Sequence, residues 1–206
     1  AWIFGLTLPF FLIVLIYGKT LLNLLYGEEF IIGYLPLLIL SIGFLINIST
    51  GLGNRILMVH KKNKLFFQIN FSMAFLNLVL NIIFIPHFGI LGAAISSAIT
   101  VASQNIIFFI VAKKYESLTF DWIYYLKFIF AGLISTILTK LVLKLGINYL
   151  ILLLFSVFLY FSSYLFFLFI FKTFNEDDYR ILILFEKKLG VNFEFIKKII
   201  RKLDSL

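Results

Sequence analysis

The polar side chains most able to do chemistry in this chain lie inside apolar stretches. Asn70, Asn77 and Asn81 are spaced seven and four residues apart. At about 100° per residue they fall within an arc of roughly 40° on a helix. In the stretch before them, Gly43, Asn47, Gly51 and Asn54 share a face, and Arg55 follows near its end. In the stretch after them, Ser96, Thr100 and Ser103 form a third stripe beside Gln104 and Asn105. Carboxamides and hydroxyls donate and accept hydrogen bonds, so what they offer is solvation of a polar solute. Arg55 adds a planar guanidinium that can clamp a phosphate bidentately. Asn47, Asn54, Arg55, Asn70, Asn77, Asn81, Ser96 and Thr100 are therefore the candidate lining of a substrate cavity. The same stripes admit a packing reading, as interhelical hydrogen bonds worth about 0.6 kcal/mol each in a bilayer. Arg55 likewise admits a reading as one more basic residue at a membrane edge.

The acids point away from other chemistries. The ten carboxylates include Glu28, Glu29, Glu116 and Asp121, and none lies within an apolar stretch. A proton or sodium relay normally uses an intramembrane carboxylate, so any ion-coupling site is expected outside this sequence. Glu28 and Glu29 are a paired acid of the kind a membrane glycosyltransferase or polymerase uses. They lack a nearby third acid to divide general-acid and general-base roles, which favours a solvated helix end. His60 and His87 are expected on opposite sides of the membrane and cannot share a metal. With no cysteine in 206 residues, thiolate metal sites and disulfides are excluded. No metal, cofactor or enzymatic activity is expected.

These side chains need elements to hold them, and composition says which. Hydrophobic residues make up 62% of the chain and charged residues 14%, with a mean hydropathy of +1.07. That leaves too little polar surface for a water-facing domain, so an all-α, polytopic transmembrane helical bundle in the cell membrane is expected. A span needs about 20 apolar residues. Six stretches qualify: Trp2 to Tyr17, extendable to Tyr26, then Tyr34–Met58, Leu65–Ile85, Ile90–Ala112, Ile123–Leu145 and Tyr149–Phe171. The runs are continuous, whereas barrel strands alternate. His60-Lys61-Lys62-Asn63-Lys64, Pro86-His87-Phe88-Gly89 and Gly146-Ile147-Asn148 read as turns, with Pro86 expected to stop a helix.

Fifteen of the eighteen basic residues fall on one side if the chain starts in the cytoplasm; Lys19, Lys140 and Lys144 fall on the other. The positive-inside rule then puts both ends in the cytoplasm. It also accounts for the net charge of +8 without nucleic acid as a partner. The sequence opens inside an apolar run at Ala1 and reads as a C-terminal fragment of a longer chain.

Residues 1–172 are expected to form the transmembrane region and residues 173–206 a cytoplasmic amphipathic tail. Asn175 with Glu176, Asp177 and Asp178 resembles a capped helix start. Ile196, Ile199, Ile200 and Leu203 make an apolar face bordered by Lys197, Lys198, Arg201 and Lys202. Such a helix can lie on anionic lipid, or simply solubilise the end.

The segment Leu80-Asn81-Ile82-Ile83-Phe84-Ile85-Pro86-His87-Phe88-Gly89-Ile90-Leu91-Gly92-Ala93-Ala94-Ile95-Ser96 resembles the "LN..LIP.yGi.GAAiA" signature of polysaccharide (O-antigen type) flippases. These belong to the multidrug/oligosaccharidyl-lipid/polysaccharide (MOP) superfamily. Leu25-Tyr26-Gly27-Glu28-Glu29-Phe30 is similar to that family's "lyGeeY" segment. The resemblance covers Ala1 to about Lys172. It implies a two-lobe, MATE-like fold of fourteen spans, of which these six resemble the last. It implies a polyprenyl-linked oligosaccharide as partner, moved by rocking two lobes about a central cavity, with an N-terminal lobe supplied by a missing part of the protein. Three rivals stay open: a MATE-like small-molecule or drug exporter of the same superfamily, a membrane glycosyltransferase or polymerase, and a non-transporting scaffold.

Overall fold

The computed structural model describes residues 2–50, 52–117, 122–143, 149–171 and 173. The described residues are helical, without strands. The helices are α1 (Trp2–Tyr26), α2 (Tyr34–Ser49), α3 (Gly53–Val59), α4 (Asn63–Phe88), α5 (Ile90–Ala112), α6 (Trp122–Leu143) and α7 (Tyr149–Ile170). A 3₁₀ segment, Glu28–Gly33, joins α1 to α2. Five helical segments are long and apolar enough to cross a membrane: Ile3–Tyr26, Glu28–Ser49, Asn63–Phe88, Ile90–Ala112 and Trp122–Leu141. The protein is thus a multi-pass membrane protein. The expected tail helices lie outside the described residues, as does the turn at Gly146.

The chain divides into two compact units, Ala1–Tyr125 and Leu126–Leu206. In the first, α5 is the central element, packed by α2, α3 and α4. Lipid tails are as apolar as leucine, so these helices are held by close packing and hydrogen bonds more than by burial from water. Small residues permit the approach. A β-carbon on Gly43 would stand 2.8 Å from the Ala98 Cα, and one on Gly53 would stand 2.7 Å from the Phe108 carbonyl carbon. On α1, Gly18 makes room for the Tyr34 ring. The Tyr34 hydroxyl donates to the Leu15 carbonyl at 2.9 Å, and Lys19 sits over the ring at 5.5 Å.

Two expected boundaries are corrected. Tyr34–Met58 is not one helix, because it breaks between Ser49 and Gly53. The Ser49 and Thr50 hydroxyls turn back onto the Ile46 carbonyl, and Thr50 also reaches the Asn47 carbonyl. This local bonding competes with the helix ladder. Beyond the break, Gly53 lets α3 lie against the α5 backbone. In an unbroken helix the Gly53 N–H would bond the Ser49 carbonyl. Here the Tyr125 hydroxyl donates to that carbonyl at 2.8 Å, and Phe4 packs on the Tyr125 ring at 4.9 Å.

The second correction is at Pro86, which does not stop a helix. α4 runs through it to Phe88. In the last turn a proline forfeits a single ladder bond, and the ladder resumes with the Gly89 N–H on the Ile85 carbonyl at 2.8 Å. Gly89 alone links α4 to α5, at φ +54° and ψ −131°, a conformation open essentially to glycine. The hairpin is so tight that a β-carbon on Gly92 would collide with the Phe84 carbonyl.

α3 ends at His60 in a Schellman turn, with the Lys62 N–H on the Leu57 carbonyl and the Lys61 N–H on the Met58 carbonyl. Lys61 takes the left-handed position, at φ +55°. Below it, Leu57, Ile69, Phe108 and Ala112 form a buried cluster, with Phe66 stacked on Phe108 at 5.4 Å.

In the second unit, α6 buries Phe128, Ala131, Ser135 and Thr139, and α7 buries Ser156, Tyr160, Tyr164 and Leu168. Both sets recur at three- or four-residue spacing, as one helix face does.

Candidate functional site

The polar stripes of α4 and α5 meet each other. Asn77 donates through Nδ2 to the Thr100 hydroxyl at 3.3 Å, and Asn81 donates through Nδ2 to Asn77 Oδ1 at 2.9 Å. Gln104 donates through Nε2 to Asn70 Oδ1 at 2.6 Å. Asn70 in turn donates to the Phe66 carbonyl at 2.7 Å. Ser96 and Thr100 are buried and bond back to the Gly92 and Ser96 carbonyls. Asn70, Asn77, Asn81, Ser96 and Thr100 thus lie along one seam, where bonds between and within the two helices use much of their capacity. Asn81 Oδ1 is the buried exception, with no partner.

Asn47 and Asn54 do not join this seam. They fall on either side of the break between α2 and α3, on two separate helices. Asn54 Oδ1 accepts from the Arg55 N–H at 2.8 Å. Gly51, expected on the same face, lies outside the described residues. The face that periodicity assembles over Gly43–Asn54 assumes a continuous helix, and the break removes that assumption.

Arg55 has a different setting. Its side chain is exposed and lines a pocket of about 380 Å³ at the end of α3. Leu52, Ile56 and Val59 supply apolar walls, and His60, Glu116 and Ser117 supply polar groups. Among the described residues the guanidinium makes no hydrogen bond or ion pair. His60 Nε2 lies 3.1 Å from Glu116 Oε1, and Tyr115 flanks His60 at 5.6 Å. Lys62 sits over the Tyr115 ring at 5.2 Å. Lys61, Lys64, Lys113 and Lys114 are exposed around the pocket's end of the unit. This end can hold an anion with Arg55, while Glu116 offers a second, opposite charge.

The polar stripes read from the sequence include the faces of α4 and α5 and leave out three features. The His60–Glu116 pair joins residues 56 apart. The Tyr125–Ser49 bond depends on a break that apolar content conceals. The hydroxyl stripe of α6 was readable, since Ser135, Thr136 and Thr139 recur at helical spacing; Thr136 and Thr139 bond back to the Gly132 and Ser135 carbonyls.

The remaining candidates lie apart from one another. Glu28 and Glu29 are exposed in the first turn of the 3₁₀ segment. His60 precedes α4 and His87 lies in its last turn. Among the described residues, no cluster of histidine and acidic side chains could hold a metal ion. No protein-family model, curated protein or solved structure matches the chain.

Proposed function

We propose that the chain is part of a flippase that carries lipid-linked oligosaccharide precursors across the cytoplasmic membrane by alternating access. One observation carries the site: Arg55 lines an open pocket without a side-chain partner among the described residues, at an end of the unit rich in exposed lysines. In the proposed orientation that end is cytoplasmic, with six spans and both termini inside. A polyprenyl phosphate approaching from the inner leaflet meets Arg55 at the level where its phosphate travels. The guanidinium gives it a bidentate partner, and the apolar walls at Leu52, Ile56 and Val59 accept the start of the prenyl chain.

In this reading the α4–α5 seam is a rigid wall of one lobe in a two-lobe, MATE-like fold. The half-buried Asn70, Asn77 and Asn81 are the side chains of that wall assigned to the sugar. The broken helix α2–α3 fits such a role, because interrupted membrane helices recur where transporters line a cavity. The resemblance of Leu80–Ser96 to the flippase signature supports the substrate class.

The test is the intact gene product in its own cells. Arg55→Ala should reduce surface glycan while Glu28→Gln leaves it unchanged. Normal surface glycan in Arg55→Ala would overturn the assignment of Arg55.

A further inference from the structure

The Arg55 pocket carries both signs of charge, and the two do not pair with each other. Arg55 lies on α3 and Glu116 follows the end of α5, yet both line the same 380 Å³ space. The carboxylate is instead held by His60 through Oε1 at 3.1 Å, and Oε2 has no partner among the described residues. A cation and an anion kept apart across a small pocket suit a ligand with an anionic group at one end and a cationic group at the other. The walls say where such a ligand comes from. Leu52 is 47% exposed and Val59 is 77% exposed, so one side of the pocket opens onto exposed apolar side chains, which suits a ligand that carries acyl chains. The volume is at the small end for ligand pockets, a headgroup's size.

We propose that this pocket holds the headgroup of a phospholipid bearing a primary amine, with its phosphate on Arg55 and its ammonium on Glu116. The proposal rests on the reading of Arg55 as a phosphate contact and adds regulation to that site. The resident lipid occupies the contact that an incoming carrier phosphate needs, so it must leave before the carrier binds. His60 acts as a positioning residue that aims the carboxylate.

The test uses the full chain in micelles, probed by native mass spectrometry with equal amounts of phosphatidylethanolamine and phosphatidylglycerol. The expected result is retention of the amine lipid over the glycerol lipid by about threefold, the scale of one exposed charge pair. Glu116→Gln should bring the two to equal retention, whereas His60→Gln, which keeps the carboxylate, should preserve a preference. Arg55→Gln should lower retention of both lipids. Equal retention by the unaltered protein, or an unchanged preference in Glu116→Gln, would overturn the amine assignment and leave the phosphate contact standing. Unchanged retention of both lipids in Arg55→Gln would overturn the phosphate contact as well. Displacement of the amine lipid by an equal concentration of soluble O-phosphoethanolamine would overturn the lipid source. The altered side chains are exposed or half-exposed, and an unchanged melting temperature checks that each variant folds.

Discussion

Asn77 of α4 and Thr100 of α5 meet across the helix seam, with the asparagine amide donating to the threonine hydroxyl at 3.3 Å. The same asparagine accepts from Asn81 at 2.9 Å, so it links a helix-to-helix bond to a bond along α4. Asn77→Leu should remove both bonds. It leaves the Asn81 amide as well as its Oδ1 unpartnered. The expected loss is about 1–2 kcal/mol, above the ~0.6 kcal/mol average for one such bond in a bilayer. Thermal unfolding in a fixed micelle checks this. A melting temperature equal to that of the unaltered chain would mean that the seam bonds carry no stability.

Gly43 tests backbone contact between α2 and α5. Gly43→Ala places a methyl against the Ala98 backbone and should cost about 1–3 kcal/mol. Gly33→Ala is the control, since nothing lies within 4 Å of a β-carbon there. It should change stability by less than about 0.5 kcal/mol. Equal melting temperatures for the two variants would contradict the close approach.

Tyr125 closes the break between α2 and α3. Tyr125→Phe keeps the ring against Phe4 and deletes the donor to the Ser49 carbonyl. The expected cost is about 1 kcal/mol. Hydrogen exchange should quicken at the amides of α3 relative to α5. Uniform exchange across both helices would show that the break does not depend on this bond.

How far the sequence informs the fold depends on which physical rule a feature obeys. Apolar length marks the membrane helices because spanning is set by bilayer thickness. It passes over the break between Ser49 and Gly53, because a hydropathy window averages across two neighbouring apolar helices. Pro86 reads as a stop by its missing N–H, but near a helix end that loss is a single bond. Periodicity places Asn70, Asn77 and Asn81 on one face without saying what the face meets. Their partners, Gln104 and Thr100, come only from the packing of α4 on α5. The His60–Glu116 pair at the Arg55 pocket has no local signal at all, since its members approach only when α3 and α5 pack.

Orientation has its own test. The chain contains no cysteine, so single substitutions report cleanly. Lys62→Cys should react with an impermeant thiol reagent from the cytoplasmic side, and His87→Cys from the opposite side. Both reacting from one side would contradict the proposed topology.

The proposed function is transport of a lipid-linked oligosaccharide, with Arg55 receiving its phosphate. The most direct measurement is the leaflet distribution of labelled precursor in membrane vesicles from cells making the intact protein, unaltered or Arg55→Ala. The expected result is precursor in both leaflets for the unaltered protein and confinement to the inner leaflet for Arg55→Ala. Equal distributions in the two, or loss of precursor synthesis without inner-leaflet accumulation, would contradict it.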